Sequence, residues 1–167
     1  MIGEIETLHP AFRLAVDRIL HSMRARGWDP VIGSGMRTYE QQNALFAQGR
    51  RDLAHVNSLR KGAGLPPISA ADNSKTVTKA KGGQSNHNLT HSLLAHGHSA
   101  VDVVNGFAVD IVDRRFGWDT PHKRFWKDLG ELAKKNGCGW GGDWTKPDPA
   151  HVEMKVVDSA PRTSVVV

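Results

Sequence analysis

The spacing of hydrophobic residues switches along the chain between the period of a helix and that of a strand, and this alternation restricts the possible folds most. Residues 9–27 and 120–137 carry apolar side chains at helical spacing, and each segment ends in glycine. Residues 106–113 alternate apolar and polar positions and are β-branched, and residues 151–157 indicate a further strand. The chain is therefore expected to combine helices with a few strands.

Shorter signals complete the predicted order of elements. Residues 28–37 indicate a short strand. A helix follows, in which Thr38 is the expected N-cap and Gln41, three residues on, completes a capping box. Residues 49–84 are rich in Gly, Pro, Ser, Asn and Lys and are predicted to form a long loop, and residues 138–150 are rich in turn formers. The order α-β-α-loop-β-α-β predicts a small α+β domain.

Length and composition exclude several classes of protein. The chain has 167 residues, which suits one domain, and its single cysteine, Cys138, excludes a disulfide framework and a multi-cysteine zinc site. No apolar run approaches the roughly 20 residues of a membrane span. The first residues lack the pattern of a signal peptide, so we expect a protein that stays in the cytoplasm or leaves it by an unusual route. The net charge of +5 favours a polyanionic partner such as nucleic acid, an anionic membrane or an anionic cell wall, although it also fits ordinary solubility.

Residues 81–113 hold four histidines and three aspartates, which raises the question of a metal site. His87 follows a glycine-rich turn, Asp110 lies in a predicted strand with Asp113 on the opposite face, and His151 opens the last predicted strand. A catalytic zinc typically takes three His or carboxylate ligands and keeps one position open. Taken singly, each of these residues is more often a surface or hydrogen-bonded residue than a ligand.

Five short segments, taken together, match the pattern of a known family. They read, in chain order, "GSGMRTYEQQ", "SNHN", "GFAVD", "GWGGDW" and "DPAHVE". This set resembles the zinc peptidases of the D-alanyl-D-alanine carboxypeptidase and L-alanyl-D-glutamate endopeptidase family, which includes many phage endolysins. The resemblance covers most of residues 28–156. It implies a Hedgehog/DD-peptidase-like fold, in which helices flank a central antiparallel sheet, and one zinc ion per chain.

The three zinc ligands of that family match His87, Asp110 and His151. The first two are seven residues apart in the usual pattern but 23 apart here, so we expect residues 88–105 to contain an insertion of about sixteen residues. Asp102, in "GHSAVD", is a rival for the aspartate ligand, but "GFAVD" fits Gly-x-Ala-x-Asp without a gap and Asp110 is preferred. Three further histidines fall in the insertion and have no counterpart in the family: His91, His96 and His98.

The resemblance also assigns catalytic and substrate-binding residues. Asp148 matches the catalytic carboxylate, which takes a proton from water and passes it to the leaving amine. Two prolines, Pro147 and Pro149, flank it and favour an extended backbone that aims the carboxylate. Arg37 matches the arginine near the scissile carbonyl, where a fixed cation stabilises an oxyanion. The alternative is a surface arginine that pairs with Glu40. Ser85 matches the motif serine that the family places near the substrate.

Neighbouring residues receive supporting roles. Glu153 lies two residues beyond His151 in the same predicted strand, hence on the same face, and is expected to orient a histidine. Trp140 and Trp144 are interpreted first as packing residues and second as cleft walls. Asp143 is interpreted as structural.

The family's usual carboxylate at this place is often Glu in carboxypeptidases and Asp in endolysin-like endopeptidases, so Asp148 favours cleavage of the L-alanyl-D-glutamate bond of peptidoglycan. We expect a single zinc peptidase domain over residues 1–167, with its core at about 10–157 and a tail at 158–167. It is expected to be a monomeric phage-type endolysin that stays cytoplasmic until it is released to the wall, with neither nucleic-acid binding nor stable membrane insertion. Three alternatives remain: a D,D-carboxypeptidase, a non-catalytic wall-binding module and a metal-dependent nuclease.

Overall fold

The computed structural model describes residues 5–88 and 106–155, and within them it contains one four-stranded sheet against which helices pack. The helices of four or more residues are α1 (Pro10–Ala25), α2 (Tyr39–Ala47), α3 (Leu53–Gly62), α4 (Ala70–Asn73) and α5 (Lys123–Lys135). The strands are β1 (Pro30–Ser34), β2 (Ala108–Asp113), β3 (Cys138–Trp140) and β4 (His151–Met154). Short 3₁₀ turns cover Ile5–Thr7 and Gly141–Asp143. The predicted α+β class with an antiparallel sheet is confirmed.

The sheet has the order β1-β2-β4-β3, and all its neighbours are antiparallel. Asp110 of β2 pairs with His151 of β4, so two of the expected ligands lie side by side at the centre of the sheet. The register between β1 and β2 shifts between Ile32 and Ser34, which brings Ser34 opposite Asp110. Bulges of this kind are frequent beside active sites because they redirect a side chain.

The two faces of the sheet have different roles because strand side chains alternate. Val109, Ile111 and Val152 belong to the hydrophobic core beneath α1 and α5, where Phe12 and Phe125 are the largest buried side chains. Each such side chain contributes about 1.5–3 kcal/mol relative to an exposed one. Asp110 and His151 face the other side of the sheet. The helical core therefore acts as a rigid support for a polar face.

Residues 49–84 correct one expectation, because the predicted loop contains the helices α3 and α4. Asp52 caps α3 by accepting a hydrogen bond from the His55 N–H at 2.9 Å, α3 packs against α2, and Val56 of α3 is fully buried. The high content of Gly, Pro and Lys concealed these short helices. By contrast, Thr38 and Gln41 form the expected capping box of α2.

Residues 138–150 also differ from expectation, since their first three residues form the edge strand β3 and pair with β4. A strand this short has too few residues to show alternation. None of the helices in the described part of the chain is both long and apolar enough to cross a membrane.

Candidate active site

Three segments that are distant in sequence bring His87, Asp110 and His151 together. The Nε2 atom of His87 lies 3.2 Å from Nδ1 of His151, and Oδ1 of Asp110 lies 3.3 Å from each of those nitrogens. All three residues are buried, with 3–6% of their surface exposed. They form a compact triangle of one oxygen and two nitrogens on the polar face of the sheet.

This triangle has the dimensions of a zinc site. Atoms that lie about 2.0–2.2 Å from a tetrahedral zinc are about 3.3–3.6 Å from one another, and the three observed separations are 3.2 and 3.3 Å. Two imidazoles and one carboxylate are also a donor set that zinc favours. The separations of the three donor atoms therefore fit a zinc ion, and a tetrahedral ion held by these three residues would keep one position for water or substrate.

Hydrogen bonds on the outer side of each imidazole decide which nitrogen faces the triangle. Nδ1 of His87 lies 2.9 Å from the Gly35 carbonyl and donates its proton there. The lone pair of Nε2 is then available to a metal ion. Nε2 of His151 lies 3.1 Å from Oε2 of Glu153, which leaves Nδ1 for the metal. Glu153 is itself held by the side-chain amide of Asn86, at 2.8 Å. The expectation that Glu153 orients a histidine agrees with this geometry.

Arg37 holds the far oxygen of Asp110. Its Nη2 donates to Oδ2 of Asp110 at 2.8 Å, its Nε donates to Oγ of Ser34 at 2.9 Å, and its Nη1 donates to Oε1 of Gln42 at 3.2 Å. Gln42 is completely buried, and its amide nitrogen donates to Thr78 Oγ1 and the Ala80 carbonyl. Arg37 is thus a fixed internal residue, and the surface alternative is wrong.

Neither Gln42 nor Ser34 was predicted as part of the site. The one available signal for Gln42 is that it is a polar residue on the buried side of α2, which it shares with Ala44 and Ala47. A buried polar group almost always has a hydrogen-bonding partner. That rule predicts some partner for Gln42 but cannot name Arg37.

The charges of the triangle are tightly coupled in the metal-free protein. Burial opposes the charge on Asp110, but His87, the hydrogen bonds from both histidines and Arg37 outweigh it and hold the pKa of that carboxyl well below its usual range. Burial likewise disfavours a charged His151, yet its hydrogen bonds with Asp110 and Glu153 raise the pKa of that imidazole to about 9. Zinc binds the neutral imidazole, so binding of an ion at this place would release a proton from a charged His151.

Asp148 lies beside the triangle but outside it. The residue is exposed, yet protein packed against one side of its carboxyl raises its pKa, and the negative charge of Asp110 raises it further. Its backbone is anchored at both ends, because its N–H donates to the Gly141 carbonyl at 2.9 Å and its carbonyl accepts the His151 N–H at 3.1 Å. A Cβ atom on Gly141 would lie 2.5 Å from the Asp148 carbonyl oxygen, so this close approach requires glycine.

Of the remaining predicted residues, some lie at the site, one lies in a surface ion pair and four are outside the described part of the chain. The half-buried Ser85 accepts a weak hydrogen bond from the His87 N–H through its hydroxyl at 3.3 Å, which ties it to the ligand turn. Trp144 is 42% exposed, and its ring centroid lies 4.8 Å from that of His151, so it forms a wall of the site. Asp143 is bonded to Lys134 at 3.0 Å, as its structural interpretation requires. Four residues lie outside the described part of the chain: His91, His96, His98 and Asp102.

Comparison with known proteins places this geometry in context. A family model described as D-alanyl-D-alanine carboxypeptidase matches residues 95–154. The chain is 30% identical over 154 residues to the peptidoglycan L-alanyl-D-glutamate endopeptidase CwlK of Bacillus subtilis (strain 168). This match covers 88% of this chain and 73% of CwlK.

Two solved structures share the fold. VanYB in complex with D-alanine-D-alanine is 19% identical, with a TM-score of 0.54, and the match covers 88% of this chain and 71% of that one. The vancomycin-resistance D,D-pentapeptidase VanY in complex with Zn(II) is 21% identical, with a TM-score of 0.53, and covers 88% and 72% of the two chains. At this level of identity the likeness concerns the fold.

Proposed function

The chain belongs to the M15 peptidases, the family of D-alanyl-D-alanine carboxypeptidases and L-alanyl-D-glutamate endopeptidases, and on that premise we propose that it is a zinc enzyme that cuts the L-alanyl-D-glutamate bond of peptidoglycan. The observation that carries the proposal is the buried triangle of His87, Asp110 and His151, whose donor atoms lie 3.2–3.3 Å apart with Asp148 beside them. Family membership favours a peptidase over both the nuclease and the non-catalytic interpretation.

One zinc per chain would be held by Nε2 of His87, Oδ1 of Asp110 and Nδ1 of His151. When bound, zinc supplies a Lewis acid that activates water and polarises a carbonyl. Arg37 keeps Asp110 ionised and turned so that only one of its oxygens faces the metal position. The hydrogen bonds of the two histidines to Gly35 and Glu153 keep the correct nitrogens aimed there.

Asp148 is the proposed general base. It lies outside the ligand triangle, and its carbonyl is hydrogen-bonded to the N–H of His151 at the start of β4. Its carboxylate is therefore placed to reach a water beside the triangle without being a ligand. It takes one proton from the attacking water as the C–O bond forms, and it delivers that proton to the amine of the leaving group as the C–N bond breaks. Its raised pKa suits both steps better than that of an ordinary aspartate, since the carboxyl must accept the proton before giving it up.

The choice of bond is supported by sequence identity. The 30% identity to CwlK exceeds the 19% and 21% identities to the two VanY-type structures, and CwlK is by name an L-alanyl-D-glutamate endopeptidase. Asp148, where carboxypeptidases of the family often have Glu, points the same way. The alternative, a D,D-carboxypeptidase, has its own support because the matching family model carries that description.

Mass spectrometry of a defined disaccharide pentapeptide distinguishes the two. After incubation with zinc-loaded enzyme, the proposal predicts a fragment with a new N-terminal D-glutamate and no free D-alanine. Release of free D-alanine with the L-alanyl-D-glutamate bond intact would establish the carboxypeptidase. Incubation with excess chelator is the control for zinc dependence, and it should leave the substrate intact.

We further propose the biological role of a phage-type endolysin that stays in the cytoplasm until the membrane is breached. Its support is the Asp148 signature and the resemblance to the endolysins of the family. Expression in the bacterial cytoplasm tests this role, because turbidity should fall only after the inner membrane is permeabilised. Lysis without permeabilisation would contradict the proposed dependence on release.

A further inference from the structure

A groove of about 440 Å³ runs along the outer face of α5 to the end of β3, outside the site described above. Two tryptophans form its walls, and three lysines and one glutamate rim it. Its lining residues are Lys123, Trp126, Lys127, Glu131, Lys134 and Trp140. We call it the indole groove. Concave sites with apolar walls and a few charged groups are the usual form of ligand sites.

The two indoles are held in place by the backbone. Nε1 of Trp126 donates to the Thr120 carbonyl at 3.3 Å, and Nε1 of Trp140 donates to the Pro149 carbonyl at 2.9 Å. Each indole therefore has its one polar group satisfied and remains half-buried, with part of its apolar surface open to the groove. Little conformational entropy would be lost when a flat or ring-shaped ligand packs against them.

The rim of the groove is positively charged. Glu131, its one acidic residue, is bonded to Arg26 at 2.8 Å, so its charge is offset. Lys134 is paired with Asp143 and lies 5.3 Å from the centre of a Trp140 ring. Lys123 and Lys127 are exposed and form no ion pair within the described part of the chain. Two unpaired ammonium groups thus lie beside apolar walls. This arrangement favours an anionic ligand that also has a ring or a carbon chain to pack on the indoles.

The groove is connected to the catalytic segment through Trp140. The carbonyl that accepts its indole N–H belongs to Pro149, the residue that follows Asp148. Trp140 also pairs with Val152 across β3 and β4, one residue after His151. The groove and the site of bond cleavage are therefore joined through the same edge of the sheet, because β3 and β4 contribute to both.

We infer that the indole groove binds an anionic polymer of the bacterial wall whose repeating units carry phosphate together with sugar or polyol. The phosphates pair with Lys123 and Lys127, and the sugar or polyol packs on Trp126 and Trp140. The inference rests on the proposed function, because it takes the wall as the place of action. It gives this single domain a wall-retention surface separate from the site of bond cleavage.

The test measures binding of the zinc-loaded enzyme to purified walls that contain a phosphate polymer, and to the same walls after hydrofluoric acid has removed it. The variant Lys123→Glu/Lys127→Glu reverses the two rim charges, and Lys61→Glu/Lys75→Glu makes the same charge change at two exposed lysines outside the groove. We expect the groove variant to bind intact walls about tenfold more weakly, a loss that corresponds to about 1.4 kcal/mol and lies within the range for two exposed ion pairs. The control variant should lose much less.

Two results would overturn the inference. Equal losses in the groove and control variants would show a general effect of net charge, and equal binding of wild-type enzyme to intact and stripped walls would show that the phosphate polymer is not the ligand. Turnover of a soluble stem peptide is measured alongside and should be the same in all three proteins. If the wild type does not cleave the stem peptide, the proposed function is wrong. The comparison of intact and stripped walls still decides whether the groove binds the phosphate polymer.

Discussion

Arg37 and Asp110 form a partly buried ion pair in which Nη2 of the guanidinium lies 2.8 Å from Oδ2 of the carboxylate, while Oδ1 of that carboxylate faces the two histidines. All three nitrogens of the guanidinium already have partners, since Nε bonds Ser34 and Nη1 bonds Gln42. The family resemblance gave Arg37 a role at the scissile carbonyl. The geometry adds a second role, which is to hold a metal ligand.

Arg37→Lys separates these two roles. Lysine keeps the positive charge but cannot reproduce the planar fork that joins Ser34, Gln42 and Asp110. If Arg37 positions Asp110, zinc affinity measured by chelator competition should fall about 10–100-fold. If Arg37 acts on the oxyanion alone, kcat should fall while zinc affinity stays at the wild-type value. Arg114→Lys, at an exposed arginine that pairs with Asp29, is the matched control and should change neither quantity.

Asp148→Asn tests the general base. The amide keeps the shape of the side chain but cannot accept the proton, so kcat should fall about 10²- to 10⁴-fold. Zinc content should remain unchanged because Asp148 lies outside the ligand triangle. Asp143→Asn, on the same surface segment, is the control and should retain activity. Normal turnover in Asp148→Asn would assign the base to another residue, with Glu153 the next candidate, and lost zinc would make Asp148 a ligand.

Gly141→Ala tests the close contact that holds the catalytic segment against the metal site. The added Cβ would lie 2.5 Å from the Asp148 carbonyl oxygen and 2.9 Å from the His151 Cβ, so one of these two must move. We expect both turnover and zinc affinity to fall by at least about tenfold, because shifts of about 1 Å in catalytic groups are costly. Gly62→Ala, in α3 with nothing within 4 Å of the added methyl, should preserve both. Wild-type behaviour of Gly141→Ala would mean that the segment is more adaptable than its packing indicates.

Asp113 provides a test of stability against pH. Its side chain is fully buried, and its hydrogen bonds to Arg115 hold the pKa of the carboxyl below the usual value although burial opposes them. A carboxyl whose pKa is lower in the folded state stabilises the protein above its unfolded pKa of about 4, and this contribution is lost as the pH falls through the folded pKa. In chelator-treated protein, Asp113→Asn should therefore lower Tm more at pH 7 than at pH 3.

The control for Asp113 is Asp119→Asn, at an exposed carboxylate that has no ion pair in the described part of the chain. Its effect on Tm should be small at both pH values. A loss of Tm in Asp113→Asn that is equal at pH 7 and pH 3 would show that packing, and not the charge of Asp113, supplies the stabilisation.

Much of the fold was predictable because its main elements carry strong local signals. The helical spacing before Gly27 and Gly137, the capping box of Thr38 and the β-branched run ending at Asp113 each correspond to an element of the structure. Elements without a local signal were missed. The three-residue strand β3 is stabilised by pairing with β4, and α3 by packing on α2, which are contacts that hydrophobic periodicity does not report.

The site shows the same division. Sequence motifs led to His87, Asp110 and His151, and the structure brings them together across an interval that departs from the family spacing. The backbone explains this tolerance, because the Phe107 N–H donates to the Asn86 carbonyl at 3.1 Å, so the chain on either side of residues 88–105 meets at one place. The role of Gln42 could not be predicted, since its side chain is oriented by Thr78 and Ala80, which are distant in sequence.

The metal content of the purified protein tests the central claim most directly, with Asp110→Ala and Asp102→Ala measured in parallel. If His87, Asp110 and His151 hold the ion, the wild type and Asp102→Ala should each contain about one zinc per chain, and Asp110→Ala should contain close to none because one of three protein ligands is gone. Retention of zinc by Asp110→Ala together with its loss from Asp102→Ala would contradict the proposed metal centre.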